Sequence, residues 1–318
     1  MQRLIPVIAT GGTIAGAAAS TADNVGYVAG VRSPAELLTG VPLPDGATVE
    51  CERLAQLDSK DMDHATWQRL AQRLAQQLAR PEVCGAVVTH GTDTLEETAW
   101  FLQRVLAPAK PVALTAAMRP ATALSPDGPQ NLADALAVAA EPGARGVVAA
   151  LAGRVHAAAE LRKLHPYRVD AFGSSDAGPL ALVEEGRLRR FRAWPGGAAL
   201  GVPAAAPDTW PWVEIVTSHA GARPDAVRAL VDSGVRGLIV AATGNGSVHA
   251  ALEPALAEAQ AAGVVVWRST RCPAGAIVGG RGDAGGPAAA LSPWAARAEL
   301  MLVLMNRTQV GKAADRPG

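Results

Sequence analysis

Two threonines stand where hydroxyl chemistry could take place. Thr13 follows Gly11 and Gly12 in LIPVIATGGTIAG, residues 4–16. Thr92 follows His90 and Gly91 in VCGAVVTHGTDTLEETAWFL, residues 83–102. Each comes just after an apolar run. A threonine hydroxyl is a weak nucleophile until a neighbour takes its proton, so each threonine asks for a base or a lowered-pKa partner. Thr92 and Asp93 also read as ordinary turn and capping residues, which hydrogen-bond locally. Tyr27, in the small and polar segment AGAAASTADNVGYVAG, reads either as an anchor for that loop or as a phenol carried on a lid. Lys163, in RKLHPYRVDAF, reads by type as a surface lysine. Acting as a base would need burial beside a hydroxyl. His90 reads as structural.

The elements that must position these groups follow from periodicity. Val83, Ala86, Val87 and Val88 form a short apolar run typical of a fully buried parallel strand. Thr94 and Glu97 have capping-box spacing, and Ala99, Leu102, Val105 and Leu106 line the next helix's buried face. Leu4 onward is a second buried strand, and Val49–Leu57 a third, ending at Asp58-Ser59-Lys60-Asp61. A hydroxyl and backbone N–H groups at Ser59 would suit a carboxylate. Lys60 could bind one as a point charge or stand as a solvated lysine. Trp67, Leu70, Ala71, Leu74, Ala75 and Leu78 have helical spacing. Strands at Pro111–Ala117 and Gly146–Leu151 flank a helix at Asn131–Ala140. This alternation predicts an α/β fold: a larger, doubly wound N-terminal domain with a mainly parallel sheet. Phe191–Pro211 is rich in Pro, Gly and Ala and reads as a linker. Strands at Trp212–Thr217, Leu238–Ala242 and Val264–Trp267, with helices at Asp225–Val231, Val248–Ala261 and Ala295–Met305, predict a smaller C-terminal α/β domain. The expected boundaries are 1–191, a linker at 192–211, and 212–318.

Composition narrows the function classes. The 318 residues are 49% hydrophobic, enough for a sizeable core, and carry 29 basic and 29 acidic side chains. Balanced charge gives no expectation of nucleic-acid or membrane affinity, and no apolar run is long enough to span a bilayer. Leu4 opens a core strand almost at once, so a signal peptide is not expected and a cytoplasmic location is. Cys51, Cys84 and Cys272 are widely spaced; Cys84 reads as a small core residue. No metal-ligand spacing links the cysteines and histidines, so neither metal nor cofactor is expected. TGGTIAG also lacks the G-x-G-x-x-G spacing of a dinucleotide site.

TGGTIAG at Thr10–Gly16 and HGTDTLEETA at His90–Ala99 resemble the two signature segments of the bacterial-type L-asparaginase and glutaminase-asparaginase family. SKDM at Ser59, AMRP at Ala117, SPDGPQNL at Ser125 and GNGS at Gly244 resemble it too, so the likeness runs from about residue 4 to about residue 307. The resemblance implies hydrolysis of the side-chain amide of L-asparagine, with L-glutamine as an alternative. It implies Thr13 as nucleophile, Tyr27 on a mobile loop, and Thr92 paired with Lys163. It places the substrate α-carboxylate on Ser59, its ammonium on Asp93, and Lys60, Ala117 and Ser247 around the substrate. Ser247 resembles the members with more glutaminase activity. Homodimers or homotetramers with sites at a dimer interface are implied as well. The chain departs from the pattern in two places. Lys60 replaces a common glutamine. Gly282 falls where related proteins carry a glutamate, and Asp283 is the neighbouring carboxylate. The rival readings are an amidohydrolase for another amide and a binding module without turnover.

Overall fold

The computed structural model describes residues 3–279 and 288–314. The chain divides into two compact units, Met1–Val202 and Pro203–Gly318. The division falls inside the Pro/Gly/Ala-rich stretch.

The first unit is built on strands whose apolar runs need cover on both faces. β1 (Arg3–Gly11), β2 (Ala47–Leu57), β3 (Ala86–Thr89), β4 (Val112–Thr115) and β5 (Val147–Leu151) run parallel in the order β2-β1-β3-β4-β5. β6 (Arg154–Ala157) turns back antiparallel beside β5. A separate ribbon pairs β7 (Arg162–Lys163) with β8 (Phe172–Gly173). β9 (Ala181–Glu184) and β10 (Arg187–Arg190) finish the eight-stranded sheet, also antiparallel. The sheet is therefore mainly parallel, as expected, with an antiparallel far edge.

Helices α1 (Pro34–Leu37), α2 (His64–Leu78), α3 (Leu95–Leu106) and α4 (Gly128–Ala140) cover it. Val7, Val87, Ala113 and Val148 form one core with Leu132, Leu136 and Ala139 of α4. The alternate residues Ile8, Val88, Leu114 and Ala149 are paired in register and fully buried on the opposite face. That face belongs to α2 and α3, whose Trp67 and Phe101 rings stack at 4.9 Å. Burying a side chain such as Phe101 or Leu102 stabilises the fold by roughly 1.5–3 kcal/mol. In α2 the stripe holds at Trp67, Leu70, Ala71 and Leu74, but Ala75 is exposed and Leu78 only half-buried. The edge strand β2 alternates in exposure, and its Glu50 and Glu52 pair with Arg80 and Arg73. Pro6 lies inside β1 without an N–H to donate. It sits where pairing toward β3 is broken, between Leu4↔Val83 and Val7↔Val87. Cys84 is partly buried against the core.

This strand order has a consequence for function. The chain leaves β1 for β2 on one side and returns to β3 on the other. The crevice outside the carboxyl ends of β1 and β3 is thus the point where strand order reverses, the usual ligand position in such sheets.

The second unit has a parallel sheet of β11 (Val213–Thr217), β12 (Gly237–Ala242) and β13 (Val265–Thr270), in that order. It carries α5 (Asp225–Asp232), α6 (Glu253–Ala261) and α7 (Pro293–Ala314). Val227, Leu238, Val240 and Leu256 share its core. α6 starts at Glu253, not at Val248. Pro254 belongs in a first helical turn because it lacks an N–H and would clash in a helix interior. Residues 248–252 instead form turns around His249, whose carbonyl accepts the Leu252 N–H at 2.8 Å. Among the described residues, no helix is long and apolar enough to cross a membrane. Among the same residues, no group of three or more His, Cys, Asp or Glu side chains is placed to hold a metal ion.

Candidate active site

The turns after β1 and β3 touch each other. Gly12 has φ +80°, and a methyl group on it would lie 2.5 Å from the Gly91 Cα. Only a residue without Cβ allows that conformation and that approach. Gly91 is tight in turn against Ser59: its own Cβ would lie 2.4 Å from the Ser59 Oγ. Thr13, Thr92 and Ser59, each just beyond a carboxyl strand end, are therefore drawn to one crevice. All three are buried.

On the β3 side, Lys163 Nζ donates to Thr92 Oγ1 at 2.9 Å and to Asp93 Oδ1 at 2.5 Å. Because Lys163 supplies that hydrogen, the Thr92 hydroxyl keeps its own for another acceptor. Two residues brace this pair. Glu96, in the first turn of α3, accepts the backbone N–H of Lys163 at 3.0 Å and so fastens the ribbon to the helix. Burial pushes the Glu96 carboxyl above the usual range, against the pull of that N–H and of the Arg162 and Lys163 charges. His90 is fully buried and lies in a hydrogen-bonded chain. Trp67 Nε1 donates to Thr98 Oγ1 at 2.8 Å, Thr98 meets His90 Nε2 at 3.0 Å, and His90 Nδ1 meets the Gly91 carbonyl at 2.7 Å. Every group is satisfied only if the imidazole is neutral with its proton on Nδ1. Burial accordingly lowers its pKa to about 4. His90 thus holds the Gly91–Thr92 turn.

On the β1 side, Thr13 opens a short 3-10 turn and its Oγ1 lies 2.5 Å from the Tyr27 hydroxyl. Tyr27 is carried on the Ala17–Val28 loop, whose ends are bridged by reciprocal backbone hydrogen bonds. The Tyr27 ring lies over Gly16, where a methyl would come within 2.7 Å of it. Tyr27 is half-buried, while Val25 and Val28 are 77% and 66% exposed.

The remaining candidates are placed as follows. Ser59 Oγ accepts the Asp93 N–H at 3.1 Å. Thr94 forms no side-chain cap on α3; its hydroxyl donates to the Ser59 carbonyl at 2.7 Å, so the capping box of Thr94 and Glu97 is not made. Lys60 is exposed and ion-paired with Asp58 and Asp61 of its own turn, at 3.2 and 2.8 Å. Ala117 is buried just beyond β4 and packs with Ile14 and Ala15. Ser247 lies in the second unit, exposed, in a turn bridged to Thr243. Gly282 and Asp283 lie outside the described residues.

The structure adds residues that residue typing did not single out. Asp127 accepts the N–H groups of Met118 and Arg119, both at 2.9 Å, and Asn131 ties Ala116 and Ala152 together. These residues belong to SPDGPQNL, and Glu96 to HGTDTLEETA. The signal was present as motif membership, but the contacts they make are distant in sequence.

Two family models match this chain: "Asparaginase, N-terminal" over residues 4–195 and "Glutaminase/Asparaginase C-terminal domain" over residues 212–314. A glutaminase-asparaginase of Pseudomonas fluorescens biotype A is 37% identical over 283 residues, covering 86% of this chain and 77% of the relative. L-asparaginase 2 of Escherichia coli K12 is 36% identical, covering 86% and 79%. Among solved structures, a "probable cytoplasmic L-asparaginase" from Campylobacter jejuni superposes with a TM-score of 0.88 at 36% identity, covering 96% of this chain and 95% of that one.

Proposed function

The chain belongs to the asparaginase family, and from that premise we propose that it hydrolyses the side-chain amide of L-asparagine to L-aspartate and ammonia, with L-glutamine as a second substrate. Thr13 Oγ1 attacks the amide carbon, and the proton it loses passes to the Tyr27 oxygen beside it. A proton from the phenol goes to the departing nitrogen, so ammonia leaves and an ester remains on Thr13. Water then attacks that ester. One proton returns to the Thr13 oxygen and aspartate is released. Thr92 and Lys163 orient that water or assist the first attack, with a continuous path from Thr92 Oγ1 through Lys163 Nζ to Asp93. Asp93 faces the substrate ammonium. Ser59 accepts the Asp93 N–H and has its hydroxyl hydrogen left for the substrate carboxylate. Lys60 and Ala117 complete the surroundings.

One observation carries this reading: two hydroxyls, each within hydrogen-bond reach of a proton-exchanging partner, sit at the reversal of strand order. Acyl transfer needs such pairs. We place the enzyme in the cytoplasm as a homodimer or homotetramer, which light scattering can check. The direct test is ammonia release from L-asparagine and L-glutamine side by side at neutral pH. Release from asparagine is expected, and the glutamine ratio tests the Ser247 reading. A folded protein that releases ammonia from neither overturns the proposal. Calorimetric binding of L-aspartate would then favour the module without turnover, which Gly282 motivates.

A further inference from the structure

We propose that the turn at residues 120–124 is a clasp for the Tyr27 loop, and that Thr122 is its positioning residue. The inference rests on the reading of Tyr27 as the partner of Thr13. Three hydrogen bonds join the two segments. The Ala121 N–H donates to the Gly16 carbonyl at 3.0 Å, and the Leu124 N–H donates to the Thr21 carbonyl at 3.1 Å. Between them the Ala18 N–H donates to Thr122 Oγ1 at 2.9 Å. They contact the outgoing arm of the loop at its root, at its second residue and farther out. The returning arm is tied back to the first by the Ala17–Val28 bridge. Tyr27 is next to that bridge, so the clasp sets the height of the phenol over Thr13.

The clasp itself does not float. Asp127 holds Met118 and Arg119 through both carboxylate oxygens, and the Arg119 guanidinium reaches the Ser125 carbonyl at 2.9 Å. Asn131 donates to Asp127 and to the Ala116 carbonyl. The turn closes on itself through the Ala123 N–H and the Pro120 carbonyl. A segment rooted in α4 and the end of β4 therefore presents fixed partners to a loop with little packing of its own. Of the three joining bonds, the Thr122 one is made by a side chain, so a substitution can remove it while leaving the backbone pattern in place.

The test compares Thr122→Val and Thr122→Ser with the parent, as full chains. Loss of one net hydrogen bond raises the open fraction of the loop about two- to tenfold. Chymotrypsin cleaves after tyrosine, so cleavage after Tyr27 in the unliganded protein reports that fraction. Thr122→Val is expected to be nicked about two- to tenfold faster, with Thr122→Ser near the parent. With L-asparagine, KM is expected to rise by a similar factor with kcat within about twofold, because substrate enters the open loop and the closure that the clasp favours then supplies that factor of the affinity. Thr122→Ser should restore KM. Unchanged nicking and KM in Thr122→Val, or a fall in kcat at constant KM, overturns the clasp. If the parent releases no ammonia yet nicking follows this pattern, the functional reading fails and the clasp stands.

Discussion

The two threonines share a strand-end setting but are held in different ways. Thr92 is clamped. Its partner Lys163 is fastened to α3 through Glu96, and its turn is held by His90 and Ser59, which are 0% and 1% exposed. Thr13 meets a tyrosine on a loop whose flanking valines are mostly in solvent. The β3 side is thus organised as part of the fold, and the β1 side depends on a loop with exposed flanks. Preorganised groups need no rearrangement during reaction, whereas a closing loop admits substrate and then excludes water. One hydroxyl pair is braced by buried groups, and the other rests on a surface loop.

The largest effects should come from the hydroxyls. Thr13→Ala and Thr92→Val are each expected to lower kcat by more than about 10³-fold, with thermal unfolding little changed. Steady-state ammonia release checks this, and turnover within tenfold of the parent in either variant breaks the pairing of two hydroxyl sites. The next effect separates the sides by pH. His90 has a pKa of about 4 in the fold against an ordinary 6.5. Between these values the unfolded chain binds more protons, so stability is complete above pH 6.5 and is lost as pH falls toward 4. The full difference is about 3 kcal/mol. Denaturant unfolding across pH 4–7 should show this slope, and His156, also near 4, adds to it. His90→Gln should flatten the slope, and an unaltered slope would remove His90 from the account of the clamped side.

Tyr27→Phe comes third. It deletes a proton-exchanging oxygen from the loop while keeping the ring on Gly16, and about a 10²-fold fall in kcat is expected. Stability should not change, in contrast to Lys163→Met, which also breaks the clamp. The smallest effect sharpens the clamped side. Glu96 has a raised pKa in the fold, so the folded state holds its proton more tightly than the unfolded chain does. Stability from this group is present below about pH 4.5 and is lost as pH rises through the raised value. Glu96→Gln can still accept the Lys163 N–H and carries no charge. Its stability relative to the parent should therefore grow from pH 4 to pH 7 in the same unfolding series. A difference that shrinks with pH contradicts the assignment.

Much of this arrangement is legible in the chain because its signals are local. The buried parallel strands show as continuous apolar runs, and the two turns show as glycines before a hydroxyl. The bracing is not local. Glu96 looks like a helix-dipole carboxylate, yet its acceptor role is toward a backbone N–H in β7, 67 positions away. Thr94 has the spacing of a cap, but the Ser59 carbonyl competes successfully for its hydroxyl. Asp127 reads as a turn residue, and its two backbone partners lie across a loop. Hydrogen bonds from side chain to distant main chain have no periodicity, so only the folded chain displays them. The start of α6 differs from the expected Val248 for the opposite reason, a signal that is local. Pro254 suits the first turn of a helix and marks where α6 begins.

The central claim is that Thr13 carries the acyl group. The measurement that tests it most directly is acid quenching during turnover of L-asparagine, followed by digestion and mass analysis. An aspartyl ester on the peptide that contains Thr13 is the expected result, and it should be absent from Thr13→Ala. An ester on the peptide that contains Thr92 would contradict the assignment and exchange the roles of the clamped and the closing side.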